Sequence, residues 1–139
     1  MIAIDDDQTT IHITKGDATG TEVNRLAFCY PIWNPTTEEE ENYEFQLTDK
    51  ITFTILEKKG YTRNELLKKE YTIAELGYQN PTQVPELVLT SQDTKVFEQL
   101  NKPKTYWYDI VLNDNATILG MDEDGAKKII VYPEAEEDE

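Results

Sequence analysis

The sequence predicts an all-β protein: an immunoglobulin-like antiparallel β-sandwich of about seven or eight strands, with one or two short helical insertions. Three observations carry that expectation. Residues 104–113 are a ten-residue run of aromatic and β-branched side chains, with Tyr106, Tyr108, Ile110 and Leu112 on one face and Thr105, Trp107, Asp109 and Val111 on the other. Period-two spacing in residues that suit a pleated surface defines a long, half-buried strand, and such a strand needs partners. Short alternating segments recur between turn signals along the rest of the chain, while heptads, repeats and alternating strand–helix units do not occur.

Taken in order, residues 10–14 alternate and form a first strand. It ends at Lys15-Gly16-Asp17, where Gly16 can take positive φ and Asp17 can bond its own backbone. Residues 23–30 form a second strand, stopped by Pro31, and residues 34–42 form a polar, acidic loop with Pro35 near its start. Residues 43–47 alternate again. Residues 50–56 are the cleanest amphipathic strand, with Ile51, Phe53 and Ile55 opposed to Thr52 and Thr54.

Residues 58–60 are a turn. Thr62 caps a short helix through Lys69, with Glu65 as the reciprocal capping partner, before residues 71–73 resume extended structure. Residues 77–85 are loop. Residues 86–90 form a strand, and Ser91 caps a brief helical turn to about Leu100. After the long strand, Asn113, Asp114 and Asn115 make a turn. Residues 116–119 and 127–132 form a last pair of strands around the hairpin signal Asp124-Gly125.

A length of 139 residues favours one domain with one core, over residues 1–133, followed by an acidic disordered tail at 134–139. The formal net charge is −15, and fifteen of the 28 acids sit in four clusters: 5–7, 38–41, 122–124, and 134 with 136–139. The other thirteen acids match the thirteen Lys and Arg residues, so the body is neutral and the excess lies in loops and termini. Such clusters keep a chain soluble or dock it to a basic partner; they oppose binding to nucleic acid or to an anionic membrane.

Cys29, the single cysteine, excludes an internal disulfide and reads as a small buried hydrophobe within the apolar segment 26–30. The start of the chain has no basic, apolar leader, so no signal peptide is expected and synthesis is cytoplasmic. No run approaches the roughly 20 apolar residues of a membrane helix.

The catalytic inventory is thin. His12 is the only histidine and Ser91 the only serine, so a Ser-His-Asp triad has one possible membership, and Ser91 is better used as a helix cap. A Cys29–His12 dyad requires the two to lie on neighbouring strands. One Cys and one His cannot build a zinc site, and no Gly-rich phosphate loop is present. Aligning Gly125 with the sixth position of a calcium loop puts Gly120 at the first and Val131 at the twelfth, neither a side-chain ligand. Asp122 and Asp124 therefore remain weak metal candidates in what reads better as a hairpin turn. No catalytic residue and no cofactor is expected, and the chain does not read as an enzyme.

Five segments together resemble the N-terminal domain of the baseplate upper protein of phages infecting Gram-positive bacteria, a family of small phage virion modules. They are a strand ending in Gly16-Asp17 (residues 11–17), an amphipathic strand after Asp49 (47–55), a strand running into Asp93-Thr94 (87–94), the strand through Tyr108-Asp109-Ile110 (106–112), and the closing segment 128–133. Their order spans nearly the whole chain. The long acidic loop 33–42 and the helical insertion at 62–69 depart from the pattern, and no long helix or fibre follows Pro133, so the chain is expected to correspond to the module alone.

The resemblance implies an immunoglobulin-like sandwich with a structural, non-enzymatic role in the phage tail or baseplate. Location in the virion and contacts with other virion proteins, or with further copies in a homo-oligomer, are expected. Tyr30, Trp33, Glu38, Glu39, Glu40 and Glu41 are the expected partner contacts. The competing function is a carbohydrate- or calcium-binding sandwich using Trp107, Trp33 and the 122–124 turn, with Tyr106, Tyr108 and Tyr30 as further parts of an aromatic platform.

Overall fold

The computed structural model describes residues 1–5, 9–20, 23–57, 65–76, 85–120 and 126–134. In chain order the elements are β1 (Ile2–Ile4), β2 (Ile11–Thr14), β3 (Pro31–Asn34), β4 (Glu39–Asn42), β5 (Lys50–Leu56), β6 (Glu65–Thr72), a 3₁₀ turn (Ala74–Leu76), α1 (Ser91–Thr94), β7 (Lys104–Leu112), β8 (Ala116–Leu119) and β9 (Lys127–Tyr132). One sheet runs β1-β2-β9-β7-β5-β6, with β8 also paired to β7; β3 and β4 form a separate two-stranded ribbon.

Alternation decides which face of the sheet is buried. Tyr106, Tyr108, Ile110 and Leu112 of β7 are all buried, whereas Trp107 and Val111 on the reverse side are half-exposed. The register sets Ile51, Phe53 and Ile55 of β5 beside Leu112, Ile110 and Tyr108. Ile129 and Val131 of β9 and Ile11 and Ile13 of β2 extend this inner face. Each such side chain, fully buried, contributes about 1.5–3 kcal/mol.

The opposing layer is mostly extended coil. Leu26, Phe28, Phe45, Leu87, Leu89 and Phe97 close over the sheet from segments without regular pairing. The Leu87 N–H donates to the Leu26 carbonyl and the Phe28 N–H to the Pro85 carbonyl, and Ala27 and Glu86 form a single bridge. The fold is therefore all-β and sandwich-like, with a mixed seven-stranded sheet as one layer.

Several local expectations change. β2 runs parallel to β9, so the sheet is not uniformly antiparallel. A parallel pair needs a long connection rather than a tight turn, and these two strands sit at opposite ends of the chain. β8 and β9 are not hairpin partners; both lie along the edge of β7 that β5 leaves open, opposite Ile110–Leu112 and Lys104–Tyr108 respectively. The hairpin expected at Asp124-Gly125 lies outside the described residues.

The helix expected over 62–69 is strand β6 from Glu65 onward, because eight residues beside β5 satisfy more backbone than an isolated helical turn. Residues 23–30 and 43–47 are extended but largely unpaired, and 86–90 holds only the bridge at Glu86. Pro31 opens β3 rather than ending a strand, and 34–42 is a hairpin instead of a loop. Among the described residues there are nine strands.

Two turns tie the layers together. Gly16 has φ +89°, and a Cβ there would meet the Glu134 carboxylate at 2.8 Å. Its N–H donates to Thr94 Oγ1 at 3.0 Å, and the Thr94 hydroxyl donates to the Asp17 carbonyl at 2.7 Å. α1 is capped by Thr90, not Ser91: the Thr90 hydroxyl accepts the Asp93 N–H at 3.1 Å and the Asp93 carboxylate accepts the Thr90 N–H at 2.9 Å. Ser91 instead donates to the Gly16 carbonyl at 2.7 Å.

At the other end of the sheet, Asn113 and Asp114 take φ 52° and 61° in the turn between β7 and β8. The Asn113 side chain accepts the Lys50 N–H at 2.8 Å and donates to Asp49 at 3.0 Å.

Candidate partner-binding site

The polar groups nearest to chemistry are occupied. His12 lies on the outer face of the sheet, with Asp5 Oδ1 2.9 Å from Nε2 and the Tyr132 hydroxyl 2.9 Å from Nδ1. Its ring stacks on Tyr132 at 5.8 Å between centroids. Cys29 lies in an unpaired segment, whereas the strands beside β2 are β1 and β9, so the two residues are not on neighbouring strands and the dyad geometry does not arise.

Asp49 is a buried structural acceptor. It takes hydrogen bonds from the Tyr43 hydroxyl at 2.9 Å, the Gln46 N–H at 2.8 Å and Asn113 at 3.0 Å. Burial pushes its carboxyl up, but those donors together outweigh burial and hold it below the usual carboxylate range. Among the described residues, no group of three or more His, Cys, Asp or Glu side chains could hold a metal ion. Asp122 and Asp124 lie outside the described residues.

The ribbon is different in character. Asn34 starts its turn by accepting the Thr36 N–H at 2.9 Å through its side chain, and the Glu38 N–H donates to the Asn34 carbonyl at 2.8 Å. Glu38 takes φ 55°, a left-handed residue that lets the chain reverse. β3 and β4 then pair with Trp33 opposite Glu40, Ile32 opposite Glu41, Asn34 opposite Glu39 and Pro31 opposite Asn42.

Directly paired residues share a face in an antiparallel ribbon, and successive residues alternate. One face therefore carries Pro31, Trp33, Glu40 and Asn42; the other carries Ile32, Asn34, Glu39 and Glu41. Trp33 is 62% exposed and Ile32 38% exposed. All of β4 is exposed.

An aromatic ladder anchors the base of the ribbon. Tyr30 packs on Tyr43 at 6.0 Å, Tyr43 on Phe45 at 5.1 Å, and Phe45 on Phe28 at 5.7 Å, reaching into the core. The Tyr43 N–H donates to the Tyr30 carbonyl at 2.7 Å. Tyr30 is thus half-buried at the root of the ribbon, while Trp33 and Glu38–Glu41 lie beyond it.

Beside that root is an apolar cleft of about 550 Å³. Ile4 from β1, Ile118 and Leu119 from β8, Cys29 from the second layer, and Pro31 and Asn42 from the ribbon line it. The two ribbon residues belong to the face that also carries Trp33 and Glu40. A second hollow of about 380 Å³ holds Arg25 and Glu86, which neutralise each other through a two-pronged contact at 2.6 and 2.8 Å.

Charge bookkeeping separates the ribbon from the body. Lys50 meets Asp114 at 2.6 Å, Lys69 meets Asp93 at 2.9 Å, Lys104 meets Glu98 at 3.2 Å, and the N-terminal ammonium meets Asp17. No cation among the described residues pairs with Glu38, Glu39, Glu40 or Glu41. Glu41 accepts only a long contact from the Thr37 hydroxyl, at 3.4 Å.

The aromatic platform considered for a sugar does not assemble. Tyr106 and Tyr108 are core residues, Trp107 faces outward from the sheet, and Trp33 is on the ribbon. The sequence singled out Trp33 and the four glutamates, and they do share one element. The cleft escaped it, because Ile4, Cys29 and Leu119 meet only through tertiary packing; the one local signal was the apolar ending of β8. No helix among the described residues is long and apolar enough to cross a membrane. No protein-family model, curated protein or solved structure matches the chain.

Proposed function

We propose that the chain is a non-catalytic structural module of a phage virion, associated with the tail or baseplate, that joins neighbouring virion proteins through the β3–β4 ribbon. The observation that carries the interaction role is the ribbon itself: a paired, turn-stabilised element that presents an exposed tryptophan and four carboxylates that no cation among the described residues pairs. Elsewhere among the described residues the large aromatics are buried or half-buried and several charges are matched, so an element with an exposed tryptophan beside unmatched carboxylates points to a partner in another molecule. The virion assignment rests on the resemblance of five segments, in order, to the baseplate module. A non-catalytic role is supported by the engagement of His12 with Asp5 and Tyr132, away from Cys29.

The test is quantitative mass spectrometry of density-purified particles from the phage that encodes this chain. A fixed copy number relative to the major tail protein, retained through high-salt washing, is the expected result. Particles that lack the chain would overturn the virion assignment.

A further inference from the structure

We propose that the cleft and the ribbon ledge form one groove that receives an extended segment of a partner protein, with an apolar side chain seated in the cleft and an arginine or lysine two residues along. This deepens the assembly reading above by naming the chemistry of the partner, and rests on that reading.

The cleft supplies the first half. About 550 Å³ lined by Ile4, Cys29, Pro31, Ile118 and Leu119 accommodates a large aliphatic or aromatic side chain, and Asn42 at its lip can bond a backbone amide. The ledge supplies the second half. Two residues outward from Pro31 and Asn42, on the same ribbon face, stand Trp33 and Glu40. Two strand residues span about 6.8 Å. A guanidinium arriving there meets a carboxylate and an indole face together, an ion pair and a cation–π contact in one place.

Charge decides the kind of partner. The whole chain carries a formal net charge of −15, with 28 acidic against 13 basic residues. A second copy would therefore bring further net negative charge to an acidic ledge, whereas a basic segment of another protein brings the missing sign. β4 is also a ribbon edge, so the segment can add as a third strand beside it.

The chain reports on both halves of the groove. Cys29 is its only cysteine and lines the cleft, so the rate of its reaction with a maleimide reads cleft occupancy. Trp33 fluorescence, measured in a Trp107→Phe background, reads the ledge. The probes are twelve-residue peptides with one leucine or phenylalanine and an arginine two residues on, with controls in which the anchor becomes serine or the arginine becomes glutamate.

The expected result is that the parent peptide slows Cys29 labelling at least about fivefold and shifts Trp33 emission with the same affinity. Glu40→Lys or Trp33→Ala should weaken it about tenfold or more, as for a central contact. Serine at the anchor should abolish Cys29 protection. Labelling that no peptide slows overturns the groove, as does protection that is indifferent to Glu40 and Trp33. Trp33 shifts without Cys29 protection overturn it too, and leave only a charged ledge. The groove and the virion assignment can fail separately. Particle composition is unaffected by the peptide result, and a chain absent from particles can still bind the peptides.

Discussion

The β5–β7 pair and the β3–β4 ribbon are both antiparallel hydrogen-bonded strands, yet they spend their side chains in opposite ways. In β5 every residue from Ile51 to Ile55 is buried, and its neighbour β7 buries every second side chain. In the ribbon strands every residue but Asn34 is exposed. Backbone pairing is common to both, so pairing alone does not explain stability. Burial of the inner face holds the fold, and the ribbon is held by its turn and by the aromatic ladder at its root. The comparison assigns stability to the sheet and recognition to the ribbon, and each of the following changes tests that division.

The largest effect is expected from Phe53→Ala. Phe53 is wholly buried at the centre of the inner face and packs against Tyr108 at 5.7 Å between ring centroids. Its truncation should cost about 3–5 kcal/mol, read as a fall in the urea midpoint. A loss below 1 kcal/mol, on the order of a surface substitution, would show that the core lies elsewhere.

Asp49→Asn should come next, at about 1–3 kcal/mol near neutral pH, because three donors lose a charged acceptor. The folded-state pKa of Asp49 lies below its unfolded value, so the contribution is present above about pH 4 and fades as pH falls through the folded value. Asp93 behaves in the same sense: burial pushes it up, and the Thr90 N–H and Lys69 more than offset that. Wild type should thus lose stability on acidification, and the gap to the variant should close. A gap that stays constant from pH 6 to 2.5 would rule out the charged-acceptor account.

Thr52→Val should change stability in the opposite direction. Thr52 is 6% exposed, and its hydroxyl has no hydrogen-bond partner among the described residues. An apolar group of the same shape removes the desolvation cost, for a gain of about 1 kcal/mol. A raised melting temperature checks it; destabilisation would mean that the hydroxyl is satisfied.

Trp33→Ala should have the smallest effect on stability, within about 0.5 kcal/mol, as for surface positions without buried contacts. A drop comparable to that of Phe53→Ala would erase the distinction between ribbon and sheet.

The sheet was largely legible because its signal is local. Alternation in 104–113 and 50–56 named the inner residues of β7 and β5 directly, and Asn113-Asp114-Asn115 marked the turn that follows. What was not legible depends on partners distant in sequence. Nothing near Ile11–Thr14 announces parallel pairing with β9. Leu66, Leu67, Lys68 and Lys69 are good helix formers that the free edge of β5 recruits as strand. The four glutamates carry no strand preference, so β4 read as loop, and its pairing comes from the turn at Asn34 and Glu38. At the candidate site, Trp33 and Glu38–Glu41 were visible as an aromatic beside an acidic run. That Trp33 and Glu40 share a ribbon face with the cleft residues Pro31 and Asn42 depends on register, which a single strand does not reveal.

Amide hydrogen exchange followed residue by residue tests the division most directly. Amides paired between β5, β7 and β9 should exchange only through global unfolding, while those pairing β3 with β4 should exchange through local opening, at least about a hundredfold faster. Ribbon amides as slow as those of β7 would contradict the account, because the ribbon would then belong to the cooperative core.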